Sequence, residues 1–281
     1  MSGRFYNTSA AIITKHGKEK IIGPILWDAF QIHLDLARYD TDLLGTFSGE
    51  IARPTDQLGT ARLKIQQAAA ISNANLLLAS EGAFHPHPDT PFFTVNTELI
   101  ILFDRATEQE IIAKHTTLET NAATITTSDE ATLLEFAKRI QFPTHRIILM
   151  RDDKNDSAKQ ILKDMATEAE LINAFRSLQK DSKDIVVIET DLRAMHNPTR
   201  QDQIKITANK LVQLMRSHCP SCDSPGYQIQ NWLPGLPCCW CNTPTKNTQY
   251  EQYRCTYCGF EEQKRVSKPC ADPGTCDQCN P

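Results

Sequence analysis

Eight cysteines in four C-x-x-C pairs, all in the last quarter of the chain, constrain this sequence more than any other feature. The pairs are Cys219–Cys222, Cys238–Cys241, Cys255–Cys258 and Cys276–Cys279, separated by 15, 13 and 17 residues, and the first 218 residues hold no cysteine. A C-x-x-C turn aims two thiolates at one point, and two such turns complete the tetrahedron that zinc prefers. Eight ligands therefore imply two structural zinc sites of four cysteines each. A disulfide framework is the weaker reading, because it needs an oxidising compartment and these cysteines avoid the larger part of the chain. A thioredoxin-like redox pair would sit in a βαβ pattern that the tail lacks. Iron–sulfur ligation by four of the cysteines is a minor alternative.

Which pairs share a metal is open on spacing alone. Adjacent pairing gives two consecutive ribbons, and interleaved pairing gives a cross-brace. The first and third pairs resemble complementary ribbon halves, with Tyr253-Arg254-Cys255-Thr256-Tyr257-Cys258-Gly259 as the second half, which favours the interleaved form. Cys239 and Cys270 are left over and read as small buried or surface thiols rather than redox groups, since neither has an obvious activating neighbour. Residues 216–281 carry too little aliphatic material for a core of their own, so metal binding is expected to drive their folding. Their six basic and six acidic side chains, joined by eight thiolates and two Zn²⁺, leave a negative balance that argues against a grip on nucleic acid. A structural or protein-docking role for the tail fits better.

The rest of the chain is of another kind. The chain as a whole, with 40% hydrophobic and 23% charged residues, can fill a sizeable core. A net charge of -4 gives no footprint for general nucleic-acid binding. No apolar run approaches the roughly 18 residues of a membrane span, and Ala10–Ile13 is too short for a signal-peptide core, so a cytoplasmic, soluble protein is expected. The loops G-x-G-x-x-G and G-x-x-x-x-G-K-[ST], the G-x-S-x-G elbow and the H-E-x-x-H helix are all missing. Conventional dinucleotide dehydrogenases, P-loop NTPases, serine hydrolases and zinc proteases are thereby disfavoured.

Apolar periodicity alternates between strand-like and helix-like stretches, which predicts an α/β fold with a mixed sheet flanked by helices. Strands are expected at 10–14, 33–39, 76–79, 99–104, 146–151 and 184–190, the last buried on both faces. Helices are expected from about 18 to 30 with Pro24 near its first turn or at a kink, then at 60–72, 131–140 (capped from Ser128), 167–179 and 200–216. The division is an α/β domain over 1–215 and a zinc-binding module over 216–281.

Three regions concentrate unusual chemistry. The first is Thr14-Lys15-His16-Gly17-Lys18-Glu19-Lys20. The second combines Gly45 to Glu50, then Arg62 and Lys64, then Ser80-Glu81-Gly82 through His85, His87 and Pro88. The third is Glu189-Thr190-Asp191-Leu192-Arg193-Ala194-Met195-His196-Asn197-Pro198-Thr199-Arg200. Ligands of open α/β sheets bind beyond the carboxyl ends of strands, and acids and cations there can hold a metal–phosphate group. Each residue also has a structural reading: Glu189 and Asp191 as caps or partners of Arg193, His85 and His87 as turn residues, Lys18 and Lys20 as helix-start charges.

On these segments and the four cysteine pairs the chain resembles an uncharacterised bacterial family that joins an α/β domain to a cysteine-rich zinc module, a resemblance that implies no activity. The order Thr14–Lys18, Gly45-Thr46-Phe47, Ala61-Arg62-Leu63-Lys64, Glu81-Gly82, then His196 and Arg200 more faintly resembles the inosine-triphosphate pyrophosphatase-like fold, with His16 where that pattern has asparagine. That resemblance implies a metal-dependent phosphohydrolase or pyrophosphohydrolase of a nucleotide-like small molecule. Glu81, Glu189 and Asp191 would bind Mg²⁺ or orient water, His196 would act as acid/base, and Lys18, Arg62, Lys64, Arg193 and Arg200 would hold phosphates. The alternative is a non-enzymatic protein whose tail docks on a protein partner through Trp232, Leu233, Leu236 and Trp240, or folds back on the α/β part.

Overall fold

In the computed structural model, residues 3–40, 54–151, 160–179, 181 and 184–281 are described. The Gly45–Glu50 part of the second region lies outside them.

Three parallel strands begin the first sheet: β1 (Ser9–Ile13), β2 (His33–Ala37) and β3 (Leu76–Pro86). Two antiparallel strands, β4 (Thr94–Asp104) and β5 (Gln109–Thr117), extend it to the order β2-β1-β3-β4-β5. Strand periodicity sorts its side chains onto two faces. Ala10, Ile12, Leu76, Leu78, Ile100 and Leu102 pack under helices α1 (Glu19–Phe30) and α5 (Pro198–Arg216). Ala11, Ile13, Leu77, Ala79, Leu99 and Ile101 pack under α2 (Gln57–Ile71). β3 is 11 residues long, so Ser80 to Pro86 continue a strand and do not form the loop that their polar composition suggested. The antiparallel partner β4 satisfies the backbone of that polar half throughout. Pro24 lies inside α1, at the helix's sixth residue.

Between β5 and α5 the chain builds a second, fully antiparallel sheet. Its order is β6-β9-β7-β8, from β6 (Thr124–Thr127), β7 (Ile147–Arg151), β8 (Gln160–Leu162) and β9 (Val186–Thr190). Helices α3 (Glu130–Arg139) and α4 (Glu168–Leu178) cover one face over a separate core of Leu133, Phe136, Leu149, Leu171, Phe175, Val186 and Ile188. Asp129 caps α3, accepting from Thr132 N–H at 2.8 Å, in place of the Ser128 start read from the sequence. Thr167 and Glu170 form a capping box on α4, satisfying two orphan amides reciprocally. β9 is buried on its helix side but only half-buried at Val187 and Glu189, and Ile185 is exposed. Hence the Ile185–Ile188 run is not buried on both faces, as a strand beneath helices on both sides would be.

From α5 the chain enters the tail, a three-stranded antiparallel sheet of β10 (Gln228–Pro234), β11 (Thr248–Arg254) and β12 (Glu261–Arg265), with cysteine knuckles at its ends. The tail folds back on β5. Gln109 Nε2 donates to Ser224 Oγ at 3.2 Å, and Gly226 N–H donates to Leu214 O at 2.9 Å. Gly226, with φ +88°, brings its backbone to Ile111, where a Cβ would sit 3.5 Å from the side chain. The module thus shields an edge strand that would otherwise offer unpaired backbone groups. Among the described residues no helix is long and apolar enough to cross a membrane.

Candidate functional site

Beyond the carboxyl end of β1 and beside the middle of β3 the structure buries four charged side chains, Lys18, Glu81, Glu98 and Arg200, and half-buries a fifth, Lys64. Lys18 precedes the first turn of α1, and its Nζ donates to Ser80 O at 2.7 Å and Ser80 Oγ at 3.2 Å. Ser80 and Gly82 point toward α1 and α5, the side on which Leu76 and Leu78 also lie. Opposite Gly82 in the register stands Glu98 of β4, which no solvent reaches. Arg200, in the first turn of α5, donates from Nε to Glu98 Oε1 at 2.7 Å and from Nη1 to Leu192 O at 2.6 Å. The absence of a side chain at Gly82 admits this guanidinium: a Cβ there would collide with Arg200 Nη2 and lie 2.5 and 2.7 Å from the Glu98 oxygens. On the opposite face Glu81 forms an ion pair with Lys64 of α2, while Gln57 Nε2 ties α2 to the strands by donating to Glu81 O at 3.0 Å and Thr97 O at 2.8 Å.

Among the described residues, the α2 face brings Lys64 to Glu81, and the α1/α5 face brings Lys18 and Arg200 to Glu98. Burial and then the Arg200 charge push the Lys18 pKa from 10.5 down to about 7, against the opposing pull of Glu98 and Glu81. A buried amine beside a guanidinium sheds its proton rather than remain an uncompensated charge. The amine is therefore poised between its two forms near neutral pH, and an anion beside it would restore the ammonium.

A second polar group lies where β9 leads into α5. Asp191, with no solvent exposure, accepts from Arg193 Nε at 3.0 Å and Nη2 at 2.7 Å. Arg193 also reaches Asp164 at 2.6 Å, and His196 Nε2 lies 3.0 Å from the same Asp164 oxygen. Although burial works the other way, Arg193 and His196 hold the Asp164 carboxyl below its ordinary value. Asp164, Asp191 and His196 each offer an atom within 4.8 Å of the others, a spacing that could take a divalent cation, though the Arg193 guanidinium now bridges the two carboxylates. Asn197 links this group to the first: its side chain accepts from Arg200 N–H at 2.9 Å and donates to Asp191 O at 3.2 Å. Buried His145 completes the junction, its Nε2 3.0 Å from Thr199 Oγ1, and desolvation keeps its imidazole below its ordinary pKa.

The residues expected from sequence thus fall into three places. Lys18, Lys64, Glu81 and Arg200 meet in the buried cluster, while Asp191, Arg193 and His196 meet at the junction. Arg62 joins neither: it pairs with Glu110 of β5 at 2.7 Å and lines a cleft of about 320 Å³ with Tyr257 of the tail. Glu189 stands half-buried in β9, in register with Ile148 and Thr124. His85 lies in β3, its Nε2 3.3 Å from Thr97 Oγ1, and His87 Nδ1 accepts from the amides of Asp89 and Thr90. Both are local structural groups. Glu98 went unnoticed in the sequence although a carboxylate heading the apolar run Leu99–Phe103 is a visible anomaly; Asp164 carries no such signal.

In the tail the tetrads are interleaved. Cys219, Cys222, Cys255 and Cys258 form one, and Cys238, Cys241, Cys276 and Cys279 the other. Sulfur–sulfur separations are 3.7 Å for Cys219–Cys258 and Cys222–Cys255, 3.6 Å for Cys241–Cys276 and 3.9 Å for Cys238–Cys279. Four sulfurs about 2.3 Å from one zinc would stand about 3.8 Å apart, so both tetrads fit that ion. Knuckle donors prepare the thiolates: hydrogen bonds from Ser224 bring Cys222 to about 6, and those from Thr243 do the same for Cys241. Cys239 and Cys270 are not free thiols but form a disulfide, because the chain between the second and fourth pairs folds them together. Of the four apolar residues singled out for docking, Trp232 and Trp240 are exposed, Leu233 is half-buried and Leu236 is buried.

A family model described as a domain of unknown function (DUF6671) matches residues 64–281. The match takes in Lys64, Glu81, Glu98, Arg200 and all eight tetrad cysteines, and leaves Lys18 outside. No curated protein matches the chain.

Proposed function

The chain belongs to the DUF6671 family, whose shared domain has no assigned function, and we propose from the chemistry of its buried cluster that it binds the phosphoryl group of a nucleotide-like small molecule and hydrolyses its phosphoric anhydride. The observation that carries this reading is the gathering of two buried cations, Lys18 and Arg200, beyond the end of β1, with the Lys18 amine brought to about 7 by burial and by the Arg200 charge. A buried ammonium is costly, and a phosphate oxygen beside Lys18 would favour its charged form, in keeping with the binding of ligands beyond the carboxyl ends of parallel strands. Lys18 and Arg200 would hold the phosphoryl oxygens, Lys64 would fix Glu81 as a carboxylate, and Arg193 would orient Asp191. A divalent cation such as Mg²⁺ would be held by Asp164, Asp191 and His196, and would polarise the anhydride. The zinc module serves as structure: its two tetrads would hold the tail against β5 in a cytoplasmic protein.

The test is calorimetry of the zinc-loaded chain with inorganic pyrophosphate and nucleoside triphosphates at pH 7.5, with and without Mg²⁺, alongside measurement of released phosphate. Binding with proton uptake is expected, because the anion restores the Lys18 ammonium. Lys18→Met should weaken binding by roughly tenfold or more, the value of one lost charge-assisted contact. No binding of either ligand at millimolar concentration to folded protein would overturn the proposal. Binding without phosphate release, with or without Mg²⁺, would reduce the proposal to a non-enzymatic phosphate binder; the second reading, a tail that docks on a protein partner, is favoured by the exposure of Trp232 and Trp240.

A further inference from the structure

Two cysteines stand outside the tetrads. Cys239 sits within the second knuckle, between the ligands Cys238 and Cys241, and Cys270 precedes the ligand Cys276 in the fourth. Backbone pairing carries them to each other: Cys239 N–H donates to Ala271 O at 3.1 Å, Ala271 N–H donates to Pro237 O at 2.8 Å, and Cys238 pairs with Ala271 in parallel. Their Cα atoms are 5.1 Å apart across 31 residues of chain, and their sulfurs are bonded. The first tetrad has no counterpart, since Pro220 and Ser221 fill one of its knuckles and Thr256 and Tyr257 the other.

The disulfide closes almost the same loop as the second zinc would. The metal would tie residues 238–241 to 276–279, and Cys239–Cys270 ties the first of these segments to a point six residues before the second without metal. With the disulfide in place, loss of zinc leaves four thiolates close together and rebinding needs little ordering. With it open, loss of zinc releases the segment beyond β12, which neither the sheet nor the first tetrad holds, and rebinding must again meet the entropy of closing it. Reduction leaves all eight ligands chemically untouched, since neither Cys239 nor Cys270 belongs to a tetrad.

We propose that the Cys239–Cys270 disulfide is a redox-dependent latch that governs zinc retention at the second tetrad and not at the first. Cys239 is exposed, so a dithiol reductant can reach it. One thiolate of the dithiol attacks a Cys239 or Cys270 sulfur and displaces the other as thiolate. The second thiol of the reductant then resolves the mixed disulfide. Two electrons and two protons pass from the dithiol to the protein, which ends with two thiols while the reductant ends as a disulfide. In a compartment that holds thiols reduced, such a bond is reversible and signals the redox state.

The test is a chelator challenge of the zinc-loaded full chain in three forms: oxidised wild type, wild type reduced and then freed of reductant, and the double variant Cys239→Ser, Cys270→Ser. Time-resolved alkylation with peptide mass mapping reports which cysteines lose their metal. Cys238, Cys241, Cys276 and Cys279 should be alkylated at least about tenfold more slowly in the oxidised wild type than in the other two forms, a lower bound on the effect of removing one loop closure. Cys219, Cys222, Cys255 and Cys258 should react at one rate in all three. Equal rates at the second tetrad in every form, or a change of the same size at both tetrads, would overturn the latch. Should the double variant misfold, the oxidised and reduced wild type decide the matter between them.

Discussion

Lys18 draws its properties from a few ångströms of surroundings. The amine meets Ser80 and the field of Arg200, and its pKa falls from 10.5 to about 7. Between those two values the unfolded chain binds more protons than the native one, so this group makes the fold more stable as pH rises, by up to about 1.4 kcal/mol per unit. Below pH 7 both states carry the charge and the slope vanishes. Urea unfolding of zinc-loaded protein should therefore show wild type gaining about 2 kcal/mol on Lys18→Met between pH 7 and pH 9. An unchanged difference between the two proteins would mean that Lys18 titrates normally. Little of this was legible in the sequence. Lys18 in a polar loop after a strand reads equally well as a solvated helix-start charge, and only the chain brought beside it from 62 residues away buries it.

At the scale of elements, the decisive contact is the crossing of α5 over β3 and β4. Asn197 caps α5 in the position its sequence suits, accepting from Arg200 N–H, and the cap aims the first turn so that Arg200 enters the gap above Gly82. Gly82→Ala should remove that gap, part Arg200 from Glu98 and cost about 3 kcal/mol, the range for breaking a buried ion pair. Chemical denaturation would read it, and a loss under 1 kcal/mol would show that the guanidinium has room to move aside. Helices with amphipathic faces, such as α4, were readable because their periodicity lies within a few turns of chain, whereas the cap read at Ser128 falls on Asp129. β5, β6 and β8 were not read, since their polar and β-branched alternation acquires meaning only through the strands beside them. The Ser80–Pro86 half of β3 misled for the same reason: its polar residues are in-strand because β4 pairs with every one of them.

The whole molecule combines two sheets with separate apolar cores and a tail with a small cluster of Cys219, Tyr227 and Cys255 beneath Tyr253 and Phe260. A tail with so little apolar burial depends on its metal. Chelation under reducing conditions should make residues beyond 216 protease-sensitive while the α/β part stays resistant, and should promote association through the uncovered β5 edge. Limited proteolysis with mass analysis, and light scattering, would check both; a tail still resistant after its metal is gone would refute the dependence, and with it the division at 216. The sequence by itself determined the eight cysteines of the tetrads and the α/β character, because each follows from chain-local spacing or periodicity. Only the tertiary structure decided that the tetrads interleave, that Cys239 bonds Cys270, that Arg62 turns away to Glu110 and that Lys18, Glu98 and Arg200 share one buried face. Those outcomes depend on which distant segments meet, and desolvation and Coulomb interaction act on distance in space rather than along the chain.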